Sequence, residues 1–81
     1  MKVRVRLFAQ LKDVFGTDER IMEVRNGITI KELVQSLMSE SGSGDWKSLP
    51  LRYAVNEAFE DGNRELRHND VLALLPPVGG G

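Results

Sequence analysis

Cysteine is absent from the 81-residue chain, and histidine, tryptophan and tyrosine each occur once. The missing cysteines exclude disulfides, thiolate catalysis and thiolate metal sites, and fit a reducing compartment. The lone His68 has no cysteine or second histidine to complete a metal site, so it reads as a solvated turn residue. No apolar run approaches the roughly 20 residues that a membrane span needs. Charge of one sign is not in excess either. With 11 basic and 12 acidic side chains interspersed, the formal net charge is −1, and no basic surface for nucleic acid is implied. Met1-Lys2-Val3-Arg4-Val5-Arg6 alternates charged and apolar residues, which is not the continuous apolar stretch of a secretory signal, so a cytoplasmic location is expected. Walker and dinucleotide glycine patterns are missing. Ser41 and Ser43 have no histidine base nearby in sequence, and Glu60 and Asp61 read as turn and solubility residues.

The length suits one domain with a modest core. Val3, Val5 and Leu7 alternate with Lys2, Arg4 and Arg6, which predicts a strand with one buried face. Ala9 to Phe15 follows as a short helix, with Leu11, Val14 and Phe15 on one side and Gly16 at its C-cap. A second strand is predicted over Arg20 to Arg25, able to pair with the first. The main helix opens at Thr29, which has Glu32 three residues on in capping-box spacing. Ile30, Leu33, Val34, Leu37 and Met38 then form one apolar stripe. Ser39 to Pro50 breaks both periods and reads as a loop anchored by Trp46. Leu51, Tyr53 and Val55 predict a third strand ending in a turn at Asn56-Glu57, and Ala58-Phe59 a short edge strand. Val71 to Leu75 is apolar at every position, as a central strand covered on both faces would be. One helix stripe covers only one face, so the other is either buried by the rest of the domain or left for a partner. The expected class is α+β, a mixed sheet packed on one main helix.

The last residues, Pro76-Pro77-Val78-Gly79-Gly80-Gly81, carry the functional signal. Residues 1–75 are expected to form the domain and residues 76–81 a flexible tail. The prolines fix φ and donate no backbone hydrogen bond, ending the strand and aiming the tail outward. Glycine has no Cβ, so such a tail is thin enough for a narrow channel. Its six residues span about 20 Å when extended. Read as a free carboxylate, Gly81 could reach a reactive centre inside a partner while the domain stays outside.

Val5-Arg6-Leu7-Phe8-Ala9-Gln10-Leu11, Phe15-Gly16-Thr17, Thr29 with Glu32-Leu33, and Ala54-Val55-Asn56 run through the chain, followed by Leu66, Asn69-Asp70-Val71, Leu75-Pro76-Pro77-Val78 and Gly80-Gly81. In these pieces, essentially end to end, the chain resembles the molybdopterin synthase small-subunit family (MoaD), sulfur-carrier proteins of ubiquitin-like β-grasp fold. Two departures stand out: Gly79 occupies a position where the family often has serine or threonine, and Asn69 one where it often has glycine. The resemblance implies that a ubiquitin-activating-type enzyme, consuming ATP, adenylates Gly81. A sulfur donor then displaces AMP and leaves a thiocarboxylate, with Gly80 as part of the reactive tail. It further implies a large subunit that holds the pterin precursor, a heterotetrameric assembly, and two sulfur transfers forming the dithiolene that later binds molybdenum or tungsten. No stably bound cofactor is implied for this chain. Phe8, Phe59 and Leu75, with Pro76, Pro77, Val78 and Gly79, match interface positions of the family, ordinary core packing being the competing reading for Phe8 and Leu75. Other uses of the same tail are a sulfur carrier for thiazole synthesis or tRNA thiolation and a protein modifier joined to lysines. Pro76-Pro77-Val78 and the chain length favour the pterin pathway.

Overall fold

The alternation at the N-terminus becomes strand β1 (Lys2–Leu7), with Val3, Val5 and Leu7 buried and Lys2, Arg4 and Arg6 exposed. The structure is a computed structural model that describes residues 1–41 and 44–77. Helix α1 (Gln10–Phe15) begins one residue later than its sequence predicts, because Ala9 turns the chain with φ of 50°. Gly16 ends α1 in the left-handed conformation, donating its N–H to the Lys12 carbonyl at 2.9 Å. Strand β2 (Glu19–Glu23) runs antiparallel to β1, from Arg6 opposite Glu19 to Lys2 opposite Glu23. The predicted continuation to Arg25 does not form. Backbone pairing goes one residue past Glu23, where Met1 and Val24 exchange both hydrogen bonds at 2.8 Å, and Arg25 instead accepts the Ile28 N–H in the turn that follows.

Helix α2 (Ile30–Ser41) starts on the capping box its sequence predicts. The Thr29 hydroxyl accepts the Glu32 N–H at 3.2 Å, and the Thr29 N–H donates to the Glu32 carboxylate at 3.1 Å. That backbone bond first, then the Thr29 hydroxyl and the nearby Arg25, hold the Glu32 carboxyl below its ordinary value. The next two amides, of Ile30 and Lys31, donate to the Arg64 and Gly62 carbonyls at 3.0 and 2.9 Å, so the helix N-terminus is tied to the loop before the last strand. Ile30, Leu33, Val34 and Leu37 are buried. The helix runs past the expected break at Ser39, because Ser41 is integrated into it: its hydroxyl donates to the Met38 carbonyl and accepts the Trp46 indole N–H. A single 3-10 turn (Asp45–Ser48) then drops Trp46 into the core, edge-on to Phe15 with ring centroids 5.6 Å apart. Trp46 is thus the hydrophobic anchor expected of it.

Strands β3 (Arg52–Val55) and β4 (Ala58–Glu60) form a hairpin over Asn56-Glu57, both at positive φ, and β5 (Val71–Leu75) closes the domain. The sheet order is β2-β1-β5-β3-β4, with β5 parallel to β1 and antiparallel to β3. This is the ubiquitin-like β-grasp expected: a mixed sheet on one main helix, its last strand in the middle. Cover on both faces of β5, however, is not what the structure shows. Leu72 and Leu74 are fully buried on the helix side, whereas Val71, Ala73 and Leu75 remain half-buried on the outer side, where no helix packs. No helix among the described residues is long and apolar enough to cross a membrane.

Asp70 holds the entry to β5. Its carboxylate accepts the Arg67 N–H at 2.8 Å, the Asn56 amide at 3.0 Å and the Arg64 guanidinium at 3.3 Å, and its carbonyl accepts the Arg4 N–H at 2.9 Å. One buried residue therefore joins β1, through its backbone carbonyl, to the β3–β4 turn and the loop before β5, through its carboxylate. Asn69 precedes it with φ of 70°, a conformation that suits glycine and that asparagine tolerates. Burial pushes the Asp70 carboxyl up, but the Arg67 N–H, the Asn56 and Arg64 hydrogen bonds and the Arg64 charge outweigh it and hold it below the ordinary value of 3.8. A depressed folded-state value adds stability above pH 3.8 that disappears as pH falls through that depressed value. Asp70→Ala should cost roughly 2 kcal/mol at neutral pH, since it removes three part-buried hydrogen bonds at once. Urea unfolding at neutral and strongly acidic pH should show the gap between wild type and variant narrowing in acid.

Candidate functional site

Parallel pairing of β1 with β5 sets the end of β5 beside the β1–α1 junction, and the β3–β4 hairpin lies on the other side. Between them is an open groove of about 600 Å³. Phe8, Ala9 and Gln10 form one wall, Arg52 and Phe59 the other, and Leu75, Pro76 and Pro77 the end from which the tail leaves. The register explains the shape. Arg6, Ala73, Ala54 and Phe59 stand in one row across four strands of the outer face, so two alanines separate the larger side chains at its ends. Phe59 is 63% exposed and Phe8 36% exposed, while Leu75 and Pro76 are half-buried. Core packing is thereby excluded for Phe59, and the groove gathers Phe8, Phe59, Leu75, Pro76 and Pro77 into one surface. Val78, Gly79, Gly80 and Gly81, for which a flexible reactive tail is expected, lie outside the described residues.

Two side chains that sequence reasoning left out belong to this surface. The Arg52 guanidinium lies 4.2 Å from the centre of the Phe59 ring, and that of Arg6 5.4 Å from the Phe8 ring. Their positions in alternating strands placed both on the solvent side, but only the strand order shows that each meets an aromatic ring of the same groove.

The remaining singled-out residues have structural partners. His68 is exposed and accepts the Lys2 N–H on Nδ1 at 3.0 Å. Among the described residues no group of three or more His, Cys, Asp or Glu could hold a metal ion. Ser41 is committed to Met38 and Trp46, and Ser43 lies outside the described residues. Glu60 pairs with Arg64 at 3.2 Å, and Asp61 accepts the Asn63 N–H at 2.8 Å, so both do the work of a turn.

The family model described as the ThiS family matches residues 5–81. The chain belongs to the ThiS family. A molybdopterin synthase sulfur carrier subunit of Drosophila melanogaster is 31% identical over 84 residues, spanning 100% of this chain and 92% of that protein. Subunits 1 and 2 of the molybdopterin-converting factor of Helicobacter pylori have been solved as a protein–protein complex. A chain of that structure is 30% identical with a TM-score of 0.70, and all of both chains is covered. The small archaeal modifier protein 1 of Methanosarcina acetivorans is 26% identical with a TM-score of 0.72, over 99% of this chain and 96% of that one. This ThiS-family chain thus has relatives named both as sulfur carriers and as a modifier.

The exposure of Phe59 sets a sharp contrast with the inner face of the sheet. Phe59→Asp should leave the thermal midpoint within a few degrees of wild type, as a surface substitution does. Leu74→Ala, which empties a fully buried site, should cost about 2–5 kcal/mol. Thermal and urea unfolding of the two variants measures both.

Proposed function

We propose that this chain is the sulfur-carrier subunit of a molybdopterin synthase, with the Gly81 carboxylate as its reactive group. The observation that carries the proposal is a Gly80-Gly81 sequence close behind Leu75, Pro76 and Pro77 of an exposed groove, in a chain aligned over its whole length with proteins named as such carriers. An α-carboxyl has a reference value of about 3.5, so at neutral pH it is an anion and a poor electrophile. Activation is therefore required. In an adenylating partner a Gly81 oxygen attacks the α-phosphorus of ATP and pyrophosphate leaves. A sulfur donor then attacks the acyl carbon and AMP leaves, so that a thiocarboxylate replaces the carboxylate. In the large subunit the terminal sulfur attacks a carbon of the pterin precursor and an oxygen substituent leaves; water then cleaves the resulting thioester, so the sulfur stays on the precursor and Gly81 returns to a carboxylate. Holding the tail in that site turns an encounter in solution into a positioned reaction. Two chains acting in turn would deliver the two sulfurs of the dithiolene, which suits a heterotetramer of two small and two large subunits in the cytoplasm.

The groove has the role of docking surface in this scheme. Phe8, Phe59 and Leu75 would fix the domain against the partner while residues 76–81 enter the channel, and the reacting side chains other than the Gly81 terminus would be the partner's. A second function, protein modification through an isopeptide bond to lysine, is favoured by the likeness to small archaeal modifier protein 1. A ladder of larger conjugates in cells marks the modifier, whereas one discrete thiocarboxylated species marks the carrier.

Intact-protein mass spectrometry after incubation with the activating enzyme, ATP and a sulfur source should show one oxygen replaced by sulfur. Removing Gly81, or adding one residue after it, should abolish that change with the thermal midpoint unaltered. Sulfur entering the shortened chain equally well would refute the assignment of Gly81. In calorimetric titration with the large subunit, Phe59→Asp should weaken binding by about 2 kcal/mol or more, the scale of a central hot spot. Wild-type affinity in that variant would remove Phe59 from the docking surface.

A further inference from the structure

The groove is not simply apolar. Arg4, Arg20, Arg25 and Arg64 each pair with a carboxylate, whereas Arg6, Arg52 and Arg67 have no ion pair among the described residues, and of these three Arg6 and Arg52 stand at the groove. Glu19 stands across from Arg6 in the β1–β2 ladder but spends its carboxylate on Arg4, at 3.1 Å. Among the described residues no acidic side chain lines the groove, whereas Glu19 and Glu57 line the neighbouring depression on the other side of Arg6. The outer sheet face as a whole carries Lys2, Arg4, Arg6 and Arg52 against Glu19 and Glu23, although the chain has a net charge of −1. The guanidinium groups of Arg52 and Arg6 each lie over an aromatic ring of the groove, Arg52 on Phe59 and Arg6 on Phe8. The stacking restrains long side chains that otherwise lose freedom on binding, so the positive charge is presented at set places beside the apolar floor.

We propose that Arg6 and Arg52 are specificity-determining residues of the docking groove, and that the partner surface it takes is an apolar ridge flanked by carboxylates. The proposal rests on the carrier function above and names the chemistry of its partner. A second copy of this chain does not fit. A two-fold contact through the same groove would set arginines against arginines, with no acidic residue in the groove to separate them. A lone phosphate fits poorly too, because the two guanidinium groups are tied to separate rings with apolar surface between them. Carboxylates facing the two arginines would speed the encounter and fix the orientation in which Leu75 and the prolines point the tail at the channel.

The test uses the full chain and the large subunit encoded in the same genome, with association and dissociation followed by stopped flow at several salt concentrations. The R6Q/R52Q variant should associate about tenfold more slowly at low ionic strength, with a flatter salt dependence. R6K/R52K, which keeps both charges, should recover most of the rate. Phe59→Ala should speed dissociation and leave the salt dependence as it is, separating the apolar contribution from the charged one. Both arginines are exposed, and the single variants R6Q and R52Q are measured beside the double one so that the result does not depend on one variant folding. Wild-type association rate and salt dependence in R6Q/R52Q, or no recovery with lysine, overturns the proposal while leaving the carrier function standing. A wild-type chain that fails to bind the large subunit at all overturns the carrier function, and this inference with it.

Discussion

The parallel pairing of β1 with β5 is the contact on which the other features depend. It joins the first strand to the last, and it is the most deeply buried part of the sheet, with Val3, Val5, Leu72 and Leu74 wholly inaccessible. Loop closure between such distant segments is costly, and the apolar area buried beneath α2 offsets it. Asp70 fixes where the pairing begins, and Pro76 fixes where it ends, because a residue without an N–H cannot extend a ladder between two neighbours. The tail therefore leaves from the middle of the sheet, beside the turn that carries Phe8.

A five-stranded sheet with one long helix has an arithmetic problem. Helix α2 covers one face, and the short α1 sits at the end of β1, so the outer face is left with whatever its own strands provide. Alternation in β1 meets this with charged residues, while β5 has apolar ones throughout. Small alanines at 54 and 73 reduce the apolar area exposed there and leave a depression rather than a ridge. The same shortage of cover that lowers the stability of a small domain thus produces a surface suited to another molecule.

Much of this was legible before the structure. Period-two alternation identified β1 and β3, period 3.6 and the Thr29–Glu32 box identified α2, and the all-apolar run placed β5 at the centre. What could not be read has a common cause, dependence on residues far apart in sequence. The end of β2 is set by the other strand, whose last backbone exchange with it is Met1 with Val24. Phe59 sits in a strand of three residues, too short for its period to say which side faces the core. The role of Asp70 depends on donors from three separate segments, and the stacking of Arg6 and Arg52 needs the strand order as well as the strands. Even the continuation of α2 to Ser41 depends on Trp46, beyond the helix, to occupy the serine hydroxyl.

The two borders of the sheet have a consequence of their own. An open strand edge is a template on which another chain can add itself, and long apolar edges seed aggregation. Here one border, β4, has only three residues, and the other, β2, carries Glu19, Arg20 and Glu23 along five. Neither offers an uninterrupted apolar ladder for sheet-to-sheet growth. In the carrier cycle proposed above, a protein passing from one enzyme to the next with hydrophobic rings uncovered each time would gain from this arrangement. Its two exposed rings, Phe8 and Phe59, would then meet partners in a groove rather than along a long open ladder, where Ile21 is the one large exposed apolar side chain of β2.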